Sequence, residues 1–169
     1  PFFQAEDGIR DDISCLVGSE MCIRDRVETS IGLDRMFLAV FSSALQDEKL
    51  EDGSERVVLK LPAVLAPVKA SVLPLVKKDG LPEIAREILD SLKYDFNVNY
   101  DEKDAIGRRY RRQDAIGTPF CITVDHETKE DGTVTIRHRD SMEQKRVKIE
   151  ELRSIINEEV SVGNWLKKV

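Results

Sequence analysis

Three residues near the start of the chain have the types and spacing to hold an amine and a row of phosphates. Glu28 and Ser30 are two positions apart in the segment ETSIGLDR, so on a β-strand both side chains would point to one face. The carboxylate could accept from an ammonium group, and the hydroxyl could add a second acceptor. Arg35 falls in the first turn of a predicted helix, where anions are favoured and a guanidinium adds bidentate contacts to phosphate oxygens. As isolated residues, all three could instead be ordinary surface side chains.

The densest positive patch of the sequence is a second candidate site. Its four arginines are Arg108, Arg109, Arg111 and Arg112. Helical spacing places Arg108 and Arg112 on one face of a predicted helix, with the other two on its flanks. As a set they favour contact with nucleic-acid phosphates, which positions a nucleic acid without reading its sequence. The alternative is a solvated helix face whose arginines pair with acidic neighbours, namely Asp101, Glu102, Asp104 and Asp114.

The elements that would position the first group begin with a helix. Apolar spacing over residues 33–45 predicts a helix with one buried face. The charged, glycine-containing run 46–56 is interpreted as a loop, and residues 57–61 as a short strand. Pro62 and Pro67 then indicate a connector between two domains.

Beyond the connector, the pattern predicts one α/β domain. Apolar runs predict strands that start near Val68, Phe96, Pro119, Val134 and Lys145. Helices are predicted after Gly80, from a cap at Asp104 to a stop at Gly117, and from Leu152. Strands separated by helices favour parallel pairing with right-handed crossovers, and the later hairpin adds an antiparallel edge. The predicted fold is therefore a mixed five-stranded sheet flanked by helices.

The first 26 residues are set apart from this fold. They show neither helical nor strand periodicity, resemble translated sequencing-adapter DNA, and are expected to be disordered. The alternative is a native disordered arm. Without them the chain has 23 basic and 26 acidic residues, a formal net charge of −3. A near-neutral surface argues against indiscriminate nucleic-acid binding but permits a local basic patch for one RNA.

Cysteine use and hydropathy indicate an intracellular setting. Cys121 is the one cysteine beyond residue 26, so no internal disulfide is expected there. No His or Cys spacing indicates a metal site, and His126 and His138 are interpreted as ordinary polar residues. No apolar run approaches the ~20 residues that a bilayer span needs. We therefore expect a soluble cytoplasmic protein that binds neither membranes nor DNA.

Two motifs in the expected order resemble the glycyl-tRNA synthetases, a family of class II aminoacyl-tRNA synthetases. The segment ETSIGLDR is similar to the third signature motif of class II enzymes in its glycine form. The runs RRYRRQDAIGTPF (108–120) and TIRHRDS (135–141) resemble the anticodon-binding domain shared by the glycine, threonine, proline and histidine enzymes. The resemblance implies three parts: 1–26 as a non-native addition, 27–61 as the end of a catalytic domain, and 62–169 as an anticodon-binding domain.

The resemblance also implies roles for individual residues. Glu28 and Ser30 would hold the amine of glycine, and Arg35 would act as the catalytic arginine that clamps the triphosphate of ATP. Glu127 and Arg137 match positions similar to a base-reading acid and arginine in the threonine branch of the family. A glycine anticodon ends in two cytosines, whose amino groups can donate to a carboxylate and whose ring acceptors suit an arginine. The four clustered arginines would contact the anticodon stem.

The activity implied is that of a glycine–tRNA ligase, which charges tRNA-Gly with glycine using ATP and Mg²⁺ as a homodimer. This chain would be a C-terminal fragment, because the two earlier class II motifs do not precede Val27. Without their groups the active site is not preorganised, so we expect no catalysis and no tight ATP binding. Two alternatives are a non-catalytic RNA-binding accessory module and the synthetase of another amino acid.

Overall fold

The computed structural model describes residues 3–4, 8–9, 30–49, 53 and 55–167. The chain forms two compact units, residues 1–36 and 37–169. In the first unit, strands β1 (Phe3–Gln4) and β2 (Gly8–Ile9) form an antiparallel pair. The boundary between the units falls inside helix α1 (Leu33–Ala44).

Helix α1 forms where the apolar spacing predicts it. In the part that belongs to the second unit, Phe37 and Phe41 stack with ring centroids 5.9 Å apart and are 66% and 39% exposed. Ala44, at the end of the helix, is buried. The predicted apolar face is thus present, but the described residues of the second unit leave its aromatic side chains open.

A β-hairpin follows α1 directly and corrects the prediction for this segment. Strand β3 (Leu45–Lys49) pairs antiparallel with β4 (Glu55–Leu59), so the predicted loop over 46–56 is wrong at both of its ends. The predicted strand over 57–61 exists but begins and ends two residues earlier. The sequence pattern did not indicate this hairpin because its strands carry many charged residues. One of them, Arg56, is buried in β4 and pairs with Glu48 of β3 at 2.6 Å.

The predicted mixed sheet is confirmed. Its strands are β5 (Ala70–Pro74), β6 (Val98–Tyr100), β7 (Phe120–Val124), β8 (Thr133–His138) and β9 (Gln144–Lys148). Their spatial order is β6-β5-β7-β8-β9. The first three are parallel, and the last two add an antiparallel meander at one edge. The crossovers between the parallel strands are helices, as the connection rules require.

Helices cover the two faces of the sheet unequally. On one face, α2 (Leu81–Leu92) and α5 (Leu152–Val160) bury their apolar sides against β5, β7 and β8, which forms the hydrophobic core. On the other face lies α3 (Ile106–Ile116), which packs against β4 and β5. Short elements complete the unit: α4 (Thr128–Asp131), a 3-10 turn (Ile149–Glu151) and α6 (Val162–Leu166).

The two ends of α3 show one confirmed and one wrong prediction. Gly117 ends the helix at φ +88°, and a Cβ at this position would lie 3.0 Å from the carbonyl oxygen of Leu59, so glycine meets both demands. At the other end the cap is Ala105, without a side-chain hydrogen bond, rather than the predicted Asp104. Asp104 instead adopts φ +67° and accepts a hydrogen bond from Arg112 at 3.1 Å.

Candidate nucleic-acid interface

Part of one sheet face is open and polar. Helix α3 lies over β4 and β5 and reaches the end of β8, where Asp114 pairs with Arg137, whereas the remaining side chains of β8 and β9 on that side are exposed or half-buried. Side chains alternate along a strand, and the β8–β9 register pairs residues that share a face. The residues exposed or half-buried there, which we call the open face, are Thr133, Thr135, Gln144, Arg146 and Lys148. The open face offers hydroxyl, amide and cationic groups to a ligand.

The arginine cluster of α3 divides into an outer and an inner part. Arg108 and Arg111 are exposed on the helix surface. Arg112 is partly exposed and pairs with Asp101 at 3.4 Å and Asp104 at 3.1 Å. The alternative of an ion-paired helix face therefore holds for Arg112. The pair with Asp104 is exposed, and exposed pairs are worth about 0–1 kcal/mol, so a phosphate could displace this carboxylate at small cost.

Arg109 belongs to the interior. It is 3% exposed and faces the sheet instead of flanking the outer surface. Its guanidinium donates to the carbonyl oxygens of Pro74 at 2.6 Å, Leu75 at 3.2 Å and Asp104 at 3.1 Å. These carbonyls lie at the end of β5 and before α3, so Arg109 fixes the helix against the strand. In this arrangement its charge is not available to a phosphate.

Arg137 is also sealed inside. Its side chain is 7% exposed and donates two hydrogen bonds to Asp114 of α3, at 2.9 and 3.1 Å. The guanidinium lies 4.8 Å from the ring centroid of Tyr110, whose hydroxyl is 2.6 Å from that of Thr123. Burial disfavours the charge of Arg137, but its hydrogen bonds and attraction to Asp114 outweigh this and raise its pKa. The geometry gives Arg137 a bracing role and leaves it closed to an RNA base.

The same buried carboxylate reaches the hairpin. Asp114, 1% exposed, also accepts from Arg56 of β4 at 3.0 Å. Arg56 in turn pairs with Glu48 of β3, which also contacts Lys60. From the sequence, Asp114 was expected only as a surface partner of the arginine cluster. We call Arg56, Asp114 and Arg137 the arginine–aspartate network.

A second buried arginine joins the hairpin, the connector and α3. Arg139 is 3% exposed and donates to the carbonyl oxygens of Leu59 at 3.0 Å, Leu61 at 2.8 Å and Gly117 at 2.9 Å. It also pairs with Asp140 at 2.8 Å. Sequence reasoning missed both Arg56 and Arg139. For Arg139 the available signal was its place directly after β8, two residues beyond Arg137, because an arginine buried near a strand end requires partners for its donors.

Glu127 and Arg137, the two predicted base readers, are not brought together. Arg137 pairs in register with Cys121 near the start of β7, whereas Glu127 follows the end of that strand and precedes α4. The arginine beside Glu127 is instead Arg146 of β9, at 2.7 Å. The Glu127 side chain is 69% exposed and therefore remains accessible at the edge of the open face.

Arg146 is anchored by a further carboxylate that the sequence did not single out. Asp125 accepts from both terminal nitrogens of Arg146, at 3.0 and 2.9 Å, and from the Thr128 hydroxyl at 3.1 Å. Partial burial works against ionisation of Asp125, but these hydrogen bonds prevail and lower its pKa. At neutral pH the carboxylate is thus charged and holds the Arg146 guanidinium in one orientation.

The motif residues of the first unit are only partly described. Ser30 is exposed, and Arg35 lies in the first turn of α1 with an exposed side chain. Glu28 lies outside the described residues, so the predicted pairing of Glu28 with Ser30 on one strand face remains a prediction.

The comparisons with known proteins first define a class. The family model for the anticodon binding domain matches residues 69–159, more than half of the chain, and the chain belongs to this family. Its fold is also that of a solved domain: the RNA binding domain of threonyl-tRNA synthetase from Cryptosporidium parvum Iowa II superposes with a TM-score of 0.54 at 23% identity. That match covers 59% of this chain and 25% of the other.

Within this class, the similar curated proteins are glycine–tRNA ligases. The chain is 48% identical over 145 residues to the enzyme of Borrelia hermsii and 50% identical over 147 residues to that of Treponema denticola. These alignments cover 86% and 85% of this chain. The chain spans only 33% of the length of each of the two relatives. Among the described helices, none combines the length and apolar character needed to cross a membrane.

Proposed function

We propose that this chain provides the tRNA-binding part of a glycine–tRNA ligase and that it binds tRNA-Gly at its anticodon end. The main support is identity near 50% to glycine–tRNA ligases over more than four-fifths of the chain. The open face adds physical support, because an exposed polar sheet face suits a single-stranded loop, and the exposed arginines of α3 suit a phosphate backbone.

The proposed contacts divide by chemistry. Arg108, Arg111 and Arg112 form the outer cationic surface of α3 and would contact phosphates of the anticodon stem. Glu127 stays exposed and would accept from the amino group of an anticodon cytosine. Arg109 and Arg137 would support this surface from inside, since their donors are already satisfied by protein groups.

The complete enzyme would activate glycine with ATP and Mg²⁺ and then transfer it to tRNA, as a homodimer in the cytoplasm. In this proposal Glu28 and Ser30 hold the glycine amine. Arg35 holds the triphosphate, a role that suits a guanidinium in the first turn of a twelve-residue helix. In this proposal Mg²⁺ accompanies the ATP phosphates.

A binding competition tests the proposal. The full chain is titrated against labelled transcripts of tRNA-Gly and of a tRNA with the same length and a threonine anticodon, at a fixed salt concentration. We expect tighter binding of tRNA-Gly, and replacement of the glycine anticodon alone should remove the preference. Equal affinity for both transcripts would refute the assignment.

A further inference from the structure

Arg146 and Glu127 form a donor–acceptor pair at the edge of the open face. Arg146 lies opposite Thr135 in the β8–β9 register, and its Nε donates to the Thr133 hydroxyl at 3.1 Å. Its Nη1 touches the Glu127 carboxylate at 2.7 Å. The guanidinium is therefore fixed from behind by Asp125 and Thr133, while its contact with Glu127 faces solvent.

Arg146 is held more firmly by Asp125 than by Glu127. The Asp125 contact is bidentate, and its carboxylate is 20% exposed. The Glu127 contact is a single one, made by a side chain that is 69% exposed. Because exposed ion pairs contribute little, Glu127 can turn away from Arg146 at small cost, whereas Arg146 itself stays in place. Nη1 also donates one hydrogen to Asp125 at 3.0 Å, so opening the pair leaves a carboxylate acceptor next to the second N–H of Nη1.

This pattern fits the Watson–Crick edge of cytosine. Cytosine presents an amino donor at N4 next to acceptors at N3 and O2, and carboxylates accept readily from N4 of cytosine. RNA-binding proteins read such edges on unstacked loop bases. We propose that Glu127 and Arg146 together read one anticodon cytosine, with Glu127 accepting from N4 and Arg146 donating to the ring acceptors. This inference rests on the proposed function and assigns the reading arginine to Arg146 instead of Arg137.

Uracil is the informative competitor, because it has the same size and reverses the pattern. Its O4 acceptor would face the Glu127 carboxylate, and its N3–H would face a guanidinium N–H. Both contacts become repulsive, and the groups on the protein lose their partners. A matched bidentate contact of this kind discriminates by roughly tenfold or more between bases.

The experiment uses the full chain and four tRNA-Gly transcripts: the parent, each single cytosine-to-uracil change in the last two anticodon positions, and the double change. Dissociation constants are measured for the parent protein and for R146M, E127Q and R153M. Arg153 is the matched control, because it is an exposed arginine in an ion pair, with Asp95 at 2.7 Å. It lies on α5, which covers the other face of the sheet.

The parent protein is expected to prefer cytosine by about tenfold or more at one of the two positions. R146M should bring this ratio close to one at the same position, and R153M should leave it unchanged. E127Q should also reduce the ratio, because an amide N–H can donate to O4 of uracil. Glu127 is exposed and makes one contact, so this variant tests the proposal even if R146M folds poorly.

The outcomes separate this inference from the function on which it rests. If the parent protein discriminates cytosine from uracil but both R146M and E127Q retain the full ratio, the reading pair is wrong and tRNA-Gly binding stands. If the parent protein shows no preference for tRNA-Gly at all, the proposed function fails together with the pair.

Discussion

Replacing Asp114 with asparagine is expected to destabilise the second unit strongly. The carboxylate accepts two hydrogen bonds from Arg137 and one from Arg56, at 2.9 to 3.1 Å. Asparagine keeps the shape but removes the charge and turns an N–H₂ group towards one of the guanidinium groups. Two buried cations would then share a single neutral acceptor.

The magnitude follows from burial. The side chains of Asp114, Arg56 and Arg137 are 1%, 3% and 7% exposed, so water cannot screen the uncompensated charge. Removing one partner of a buried ion pair costs about 3–5 kcal/mol. Since Arg56 keeps its contact with Glu48, we expect the lower end, about 3 kcal/mol. For a unit of this size, that loss lowers the unfolding midpoint by roughly 10 °C.

Urea unfolding followed by far-UV circular dichroism measures the effect. D95N is the matched control, because Asp95 pairs with Arg153 at 2.7 Å with side chains 39% and 63% exposed, and its loss should cost at most about 1 kcal/mol. Hydrogen exchange should also accelerate in β3 and β4, which Asp114 holds through Arg56. A D114N variant within about 1 kcal/mol of the parent protein would refute this account of the network.

Further predictions concern affinity, pH and catalysis. Replacing Arg111 and Arg112 with glutamine should weaken tRNA-Gly binding at low salt and reduce the slope of log K against log salt by about 2, while R153Q leaves both unchanged. The lowered pKa of Asp125 stabilises the folded chain above the unfolded pKa, and this stability is lost as pH falls through the folded pKa. Stability of D125N should therefore fall less between neutral and acid pH than that of the parent protein in urea titrations. The chain should show no glycine-dependent exchange between pyrophosphate and ATP, and activity above background would contradict the expected incomplete active site.

The sequence predicted elements whose signals are local. Strand β7 is an apolar run between Gly117 and a polar turn, and its limits need no distant information. Helix α3 was bounded correctly at Gly117, since glycine is required there by the backbone. Strand β3 was missed because its charged residues resemble a loop. Its formation depends on β4 and on Arg56, whose partners Glu48 and Asp114 are 8 and 58 positions away.

The directions of side chains were harder to predict from the sequence than the helices and strands. Helical spacing set Arg109 on a flank, but which flank faces the sheet depends on where α3 packs, and the carbonyls that receive its donors lie on β5 and before α3. Arg137 was predicted to face a base, and its actual partner, Asp114, lies on an element whose placement the sequence does not reveal. Glu127 is exposed, as a base-reading role requires, while its partner Arg146 could be found only from the register of β8 and β9.

The grip of Arg139 on three separate carbonyl oxygens has a mechanical consequence. This side chain, directly after β8, hydrogen-bonds to the end of the hairpin, the start of the connector and the C-cap residue of α3. We therefore do not expect the stretch from Leu59 to Leu61 to act as a hinge. We expect a displacement of the β8–β9 meander by a bound nucleic acid to move the hairpin as well, because the hydrogen bonds of Arg139 join the two.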